Sequence, residues 1–186
     1  QFGLHSWLPI AMEGPTPISA LIHAATMVTA GIFILIRYSF FFEFTKNILF
    51  FIILFGLLTV FLTGILALIQ VDFKKIIAYS TCSQLGYMSF CCGLSAYSIS
   101  FYHLLNHAFF KALLFLSAGL FIYFMYDEQD LRFLGGISFF FPLLSFCLII
   151  GSISLIGIPF FSGFFSKDLI IELSLINFDK NFFFFL

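Results

Sequence analysis

Charge is what this sequence has least of. Only 9% of its 186 residues are charged, whereas 62% are hydrophobic. Soluble domains carry about 25% charged residues, so this composition excludes an ordinary soluble domain and is typical of an integral membrane protein. The formal net charge of −1 also provides no basic surface for nucleic acid. We therefore expect a chain surrounded by membrane lipids and other membrane proteins, with no nucleic-acid partner.

Cofactor-binding patterns are also missing. The four cysteines do not show the paired C-x-x-C spacing of a metal site. No motif typical of a haem, flavin, nicotinamide or iron–sulfur site occurs in the sequence. We expect no cofactor, no metal and no redox centre within this chain.

Long uncharged runs set the fold class. Residues 48–71 contain no charged side chain, and this run exceeds the roughly 20 residues that cross a bilayer as a helix. The strands of a membrane barrel would alternate apolar and polar residues, whereas these segments are apolar all round. The sequence predicts an all-α polytopic transmembrane helix bundle with discontinuous helices.

The apolar pattern predicts one transmembrane domain over residues 1–186. Its predicted parts are a half-helix at 1–12, spans at about 18–38, 48–70, 76–94 and 98–126, and a broken helix at 137–178. The last segment is interrupted at Gly157-Ile158-Pro159 and again at Gly163, because proline removes a backbone donor and clashes with the preceding turn. Irregular backbone at membrane depth is tolerated only beside protein or a water-filled cavity, so such a break also indicates function.

The third full span is unusually polar. It carries five polar side chains, Ser80, Thr81, Ser83, Gln84 and Tyr87. These side chains cannot all face lipid, so we expect the polar face to pack against the second and fourth spans. Gly86 and Gly93 would allow a neighbouring helix to approach closely.

The fourth span contains the most informative pattern, because His103, His107 and Lys111 are spaced four residues apart. At about 1.5 Å and 100° per residue, they form one polar stripe whose members are about 6 Å apart. One interpretation is a hydrogen-bonded core histidine with a lysine that extends to the interface. Three ionisable groups in register on a lipid-length segment favour the other interpretation, a proton pathway.

Further ionisable residues lie on other predicted helices. His23 is in the middle of its span, where a lone histidine most often joins two helices by a hydrogen bond. Lys74 is an interfacial anchor or the start of a hydrated path along the third span. Lys167 and Asp168 follow the helix break and could form a local ion pair. Together with the stripe, these residues predict a buried charged axis.

Several segments resemble the antiporter-like membrane subunits of respiratory complex I. The resemblance rests on residues 4–31 (LHSWLPIAMEGPTPISALIHAATMVTAG), 72–86 (DFKKIIAYSTCSQLG) and 103–115 (HLLNHAFFKALLF). Residues 127–132 (DEQDLR) and 162–172 (SGFFSKDLIIE) resemble in particular the subunit 5 branch of this family, in its mitochondrial form.

The resemblance implies a proton-translocating subunit of the membrane arm in the mitochondrial inner membrane, driven by ubiquinone reduction elsewhere in the complex. Lys111 is similar in position to the family's central channel lysine, with His103 and His107 as its water-linked relay. His23 matches a relay histidine beside the input half-channel. Lys74 matches the connecting lysine and Lys167 the terminal lysine of the broken helix on the exit side.

Parts of the family pattern fall outside this sequence. A lysine and a glutamate precede the match to Gln1, and further helices follow the match to Glu172 in the family. We expect the chain to be a central piece, with separate polypeptides that supply the upstream and downstream parts beside other membrane-arm subunits. Two alternatives remain: a structural or assembly fragment of a membrane complex, and a piece of a multisubunit cation/proton antiporter.

Overall fold

The computed structural model is predominantly helical in the part of the chain that it describes, which is the backbone of residues 1–185 and the side chains of 1–136 and 138–176. The helices are α1 (Trp7–Ala11), α2 (Thr16–Ile18), α3 (Met27–Arg37), α4 (Ser39–Glu43), α5 (Lys46–Ile69), α6 (Phe73–Gly93), α7 (Tyr97–Phe124), α8 (Ile137–Phe140), α9 (Pro142–Ile156) and α10 (Ser162–Phe185). A π-helical segment, Ser19–Thr26, joins α2 and α3 into one 22-residue helix. The predicted all-α bundle is confirmed.

Within the described residues, three helices are long and apolar enough to cross a membrane: Thr16–Arg37, α5 and α7. Helix α6 has 21 residues, and at 1.5 Å per residue it is about 30 Å long, but its side chains are more polar. It packs between α5 and α7 and contacts α3 and α10 as well. Its polarity is therefore enclosed by protein.

Glycines bring α5 and α6 into close contact. A Cβ atom at Gly56 would lie 2.8 Å from the backbone nitrogen of Phe90, and one at Gly86 would lie 2.8 Å from a methyl carbon of Val60. A Cβ at Gly93 would meet the backbone nitrogen of Ile53 at 2.9 Å. Since real side chains essentially never come so near, these positions require glycine at this helix spacing. The close approach predicted at Gly86 and Gly93 is confirmed.

The opposite face of α6 is polar and buried. Thr81 and Gln84 are almost fully enclosed, and Ser80 bonds to a side chain of α7. By contrast, α5 keeps large apolar side chains such as Phe61 and Leu68 exposed, where lipid or a neighbouring subunit can cover them. The prediction that this polar face is buried against the fourth span is confirmed. The expected contact of the polar face with the second span is wrong, because α5 meets the glycine face of α6 instead.

The last membrane segment is discontinuous. Helix α9 ends at Ile156, Gly157 follows in the left-handed conformation with φ of 91°, and α10 begins at Ser162. The predicted break at residues 157–159 is therefore confirmed. The second interruption that we expected at Gly163 is wrong, because Gly163 lies in the first turn of α10. Its missing side chain instead leaves room for the carbonyl oxygen of Ser154.

The amino-terminal segment is less helical than the sequence predicts. The expected half-helix over 1–12 is a helix only at Trp7–Ala11, preceded by turns. Gly3 adopts a φ of 88°, a left-handed conformation that cannot belong to a right-handed helix. The π-helical segment around His23 was also not predicted, because the sequence pattern does not distinguish it from an α-helix.

The loop that follows α7 pairs with the residues at the start of α6. The backbone nitrogen of Phe73 donates to the carbonyl of Gln129 at 3.0 Å, and that of Leu131 donates to the carbonyl of Val71 at 3.2 Å. Asp72 forms an ion pair with Lys75, and this ammonium group lowers the pKa of the Asp72 carboxyl. The loop holds together the two helices that carry the buried polar groups.

Candidate functional site: a buried lysine and histidine stripe

The polar stripe of α7 lies inside the bundle. His103, His107 and Lys111 are each at most 1% exposed, and Lys111 is among the largest fully buried side chains of the described residues. The i, i+4 spacing places the three groups on one helix face, and α6 and α10 cover that face. The lysine therefore does not extend to the membrane interface.

Lys111 is held by uncharged partners. Its Nζ donates to the Ser80 hydroxyl oxygen at 2.6 Å and to the Ile77 carbonyl oxygen at 3.3 Å, both on α6. Among the described residues, no carboxylate forms an ion pair with it. Removing an ammonium ion from water costs several kcal/mol, and neutral acceptors recover only part of that cost. A site of this kind suits a group that alternates between charged and neutral forms.

His103 is fixed at both ring nitrogens by two different helices. Its Nε2 lies 3.1 Å from Oε1 of Gln84 on α6, and its Nδ1 lies 2.9 Å from the hydroxyl oxygen of Ser166 on α10. Because Oε1 only accepts, the ring carries its proton on Nε2, and Nδ1 accepts from the Ser166 hydroxyl. These two bonds define the orientation and the tautomer of the ring.

His107 lies between these two groups. Its ring centroid is 6.4 Å from that of His103 and 5.4 Å from that of Phe110, which meets it edge-on. Within the described part of the chain, neither ring nitrogen of His107 has a hydrogen-bond partner. Buried polar atoms are normally paired, so this ring is the member of the stripe whose hydrogen bonding is open to change.

Lys74 is buried at the amino-terminal end of α6. Its side chain is 6% exposed, and its Nζ lies 3.4 Å from the carbonyl oxygen of Gly14. The neighbouring Lys75 is partly exposed and paired with Asp72. The structure thus separates two lysines that are adjacent in sequence: one is an interfacial ion pair, and the other points into the protein.

The side chain of Lys167 reaches across the break from α10 to the end of α9. Its Nζ lies 3.4 Å from the carbonyl oxygen of Ile156, the last residue of α9, and 5.5 Å from the centre of the Tyr87 ring. A cation at this position suits the unpaired carbonyl groups and negative dipole end of α9. The local Lys167–Asp168 pair that we considered is not formed: within the described residues, the ion pairs are Lys75–Asp72 and Arg132–Asp130.

His23 lies apart from the stripe. It is half-buried on the π-helical segment, and its ring meets the Trp7 ring edge-on with centroids 6.1 Å apart. Its Nδ1 is buried without a partner among the described residues. The contacts of His23 and Lys74 are with the amino-terminal segment, so the structure does not bring these two residues into contact with Lys111.

Three further polar residues complete the stripe. Ser80, Gln84 and Ser166 provide its side-chain hydrogen bonds, although sequence reasoning assigned no site role to any of them. The polarity of the third span indicated Ser80 and Gln84. The only signal for Ser166 was its place immediately before Lys167, after the apolar pair Phe164-Phe165.

Comparison with known proteins places the chain in a family. The family model described as "NADH:quinone oxidoreductase/Mrp antiporter, TM" matches residues 1–186. NADH-ubiquinone oxidoreductase chain 5 of Chondrus crispus is 59% identical over 177 residues, which are 95% of this chain and 27% of that protein. The chain therefore spans about a quarter of the length of the curated relatives it matches.

Two solved structures share the fold. One is the membrane-bound sulfane sulfur reductase, an archaeal respiratory membrane complex, with a TM-score of 0.86 and 29% identity over 93% of this chain and 37% of that one. The other is the Mrp complex of Dietzia sp. DQ12-45-1b, with a TM-score of 0.86 and 32% identity over 93% of this chain and 19% of that one. The resemblance to antiporter-like subunits, and among them to subunit 5, is confirmed. The chain belongs to the NADH:quinone oxidoreductase/Mrp antiporter transmembrane family.

Proposed function

We propose that this chain is a proton-translocating part of the membrane arm of NADH:ubiquinone oxidoreductase in the mitochondrial inner membrane. The identity of 59% to an NADH-ubiquinone oxidoreductase chain 5 supports the assignment to that complex. Its partners are then the other membrane-arm subunits and the surrounding lipids. Oxidation of NADH and reduction of ubiquinone take place elsewhere in the complex, and this chain contributes to proton transport without a cofactor of its own.

The burial of Lys111 without a carboxylate carries the proposal. A structural cation in the membrane interior is normally paired with an anion, since an unpaired one is costly to keep charged. Lys111 instead has a hydroxyl and a carbonyl group as its acceptors. Both acceptors tolerate loss of the lysine proton, because neither carries a charge that would be left uncompensated.

Transport along the stripe follows from repulsion between its members. When Lys111 carries a proton, it disfavours protonation of the nearby His107, and release of that proton removes the repulsion. His107 has no competing hydrogen bond within the described residues, so it can exchange a proton with either neighbour. The driving signal comes from other subunits, which shift the charge at one end of the axis.

The remaining candidates extend this axis. Lys167 lies at the helix break on one side of the stripe, with Asp168 next to it in sequence, and we assign both to the exit end. Lys74 and His23 lie near the amino-terminal segment. We assign Lys74 to the connection between half-channels and His23 to the input side.

A cation/proton antiporter is the second candidate. The likeness to the Mrp complex, at 32% identity over nearly the whole chain, favours it. The two functions differ in what drives proton movement. In sealed vesicles with the intact complex, a sodium gradient alone should move protons if the antiporter proposal is right, whereas NADH oxidation is required under the main proposal.

Replacement of Lys111 tests the proton pathway. In the intact complex reconstituted into liposomes, Lys111→Met should lower the rate of proton pumping at least about tenfold, since positioned acid–base groups typically contribute 10²–10⁴-fold to a rate. Assembly, measured on native gels, should persist because methionine fills most of the same volume. Lys46→Met is the matched control, because Lys46 is exposed at the start of α5. Undiminished pumping by an assembled Lys111→Met complex would support the structural alternative.

A further inference from the structure

Ser166 stands out because it joins the helix break to the histidine stripe. It is fully buried in the second turn of α10, and its hydroxyl is 2.9 Å from Nδ1 of His103 on α7. The other ring nitrogen of His103 is bound by Gln84. One imidazole ring is thus held by side chains from two helices on either side of it.

The two partners of His103 differ in what they can do. Gln84 presents an oxygen to Nε2, and this oxygen accepts in either protonation state of the ring. Nδ1 is different, since it accepts a hydrogen bond when the ring is neutral and donates one when the ring is protonated. A residue that serves both states at Nδ1 must be able to donate and to accept.

Ser166 meets that requirement through a second set of acceptors. Its hydroxyl oxygen lies 3.4 Å from the carbonyl oxygen of Ser162 and 3.4 Å from that of Gly163. Both carbonyl groups belong to the first turn of α10. Rotation of the hydroxyl therefore redirects its hydrogen from Nδ1 to the backbone and leaves an oxygen lone pair facing the ring.

We propose that Ser166 is a positioning residue that keeps His103 hydrogen-bonded in both protonation states, and this inference rests on the proposed proton pathway. With a neutral ring, the serine donates to Nδ1. When the ring gains a proton at Nδ1 from the pathway, Nδ1–H donates to the serine oxygen, and the serine hydrogen turns to Ser162 or Gly163. The ring gains one proton and one positive charge, while the serine neither gains nor loses a proton.

Removal of the hydroxyl should therefore penalise one state of His103 more than the other. Ser166→Ala leaves the protonated ring with a buried, charged N–H group that has no acceptor. The neutral ring loses only the hydrogen bond that its Nδ1 accepts from the serine hydroxyl. A hydrogen bond to a charged group is stronger than one between neutral groups, so the protonated ring loses more than the neutral ring. We expect the pH profile of pumping to move by about one unit toward lower pH and the pumping rate near neutral pH to fall about tenfold, because one unit corresponds to a factor of ten.

The experiment compares four variants of the intact complex, each measured for assembly and for pumping as a function of pH. Ser166→Thr retains the hydroxyl and should keep both the profile and at least half of the rate. Ser154→Ala is the matched control, a buried serine near the break whose hydroxyl, among the described residues, bonds only to the Gly151 carbonyl, at 2.8 Å. It should behave as the unmodified complex. Lys111→Met tests whether pumping depends on the proposed proton pathway at all.

The outcomes separate the two proposals. If Lys111→Met abolishes pumping but Ser166→Ala keeps an unshifted profile, the role of Ser166 is refuted and the pathway stands. If Ser166→Ala and Ser154→Ala lower the rate equally without a shift, the serine is only a packing residue, which also refutes it. Full pumping by Lys111→Met would overturn the proposed function instead. If Ser166→Thr does not assemble because of its extra methyl group, the comparison of Ser166→Ala with Ser154→Ala still tests the role of the Ser166 hydroxyl.

Discussion

The two faces of α6 show how one helix can hold its neighbours by opposite means. Toward α5, the contact is made by glycines and backbone atoms, with Gly56 and Gly86 facing each other across the interface. Toward α7, the contact is made by the hydrogen bonds that Lys111 donates to Ser80 and that His103 donates to Gln84. The first face depends on shape alone, whereas the second depends on groups that can change their protonation state. The comparison teaches that the buried histidines and the buried lysine of α7 lie on the polar side of α6, where transport is proposed, whereas the close contact with α5 is made without ionisable groups.

The largest effect on stability should come from the glycine face. A methyl group at Gly56 would press on backbone atoms of Phe90 and Gly86, which cannot rotate away. Gly56→Ala should therefore destabilise the α5–α6 contact by about 1–3 kcal/mol, as overpacking does in well-packed cores. The measurement is the thermal midpoint and the yield of the assembled complex.

Gly64 provides the control for that change on the same helix. No atom lies within 4 Å of a Cβ placed there, so Gly64→Ala should be neutral or stabilise by up to about 1 kcal/mol. Equal losses of assembly for the two variants would contradict the claim that shape complementarity at Gly56 holds this face together.

A smaller and purely functional effect is expected at the start of α6. Lys74 is buried, whereas Lys75 is partly exposed and paired, so the two adjacent lysines differ in environment and not in chemistry. Lys74→Met should reduce pumping severalfold because it removes a proposed carrier from the axis. Lys75→Met should leave pumping unchanged, since exposed ion pairs contribute at most about 1 kcal/mol. Proton-to-electron ratios in liposomes measure both, and identical ratios would show that Lys74 is only an anchor.

The stripe itself could be predicted because it lies within one helix. The spacing of His103, His107 and Lys111 determines their common face, and the bilayer makes charged groups on a lipid-facing surface unlikely to persist. In the same way, Gly86 and Gly93 indicated a close helix contact before the structure placed α5 against them.

The partners of the stripe could not be predicted, because they come from distant parts of the chain. Ser166 is 63 residues from His103, and the Ile77 carbonyl is 34 residues from Lys111. Helical periodicity fixes the register within a helix but not between helices. For the same reason Lys167 was considered with its neighbour Asp168, whereas in the folded chain it reaches back to the end of α9.

Substitution of Lys111 by arginine tests the central claim most directly. Arginine retains the positive charge and the hydrogen-bond donors that a structural cation would need, but it does not release its proton at accessible pH. We predict that a complex with Lys111→Arg assembles and oxidises NADH but pumps few protons per electron, at the level of Lys111→Met. A normal proton-to-electron ratio in the assembled arginine variant would show that Lys111 serves as a fixed charge, and would contradict the proposed lysine and histidine pathway.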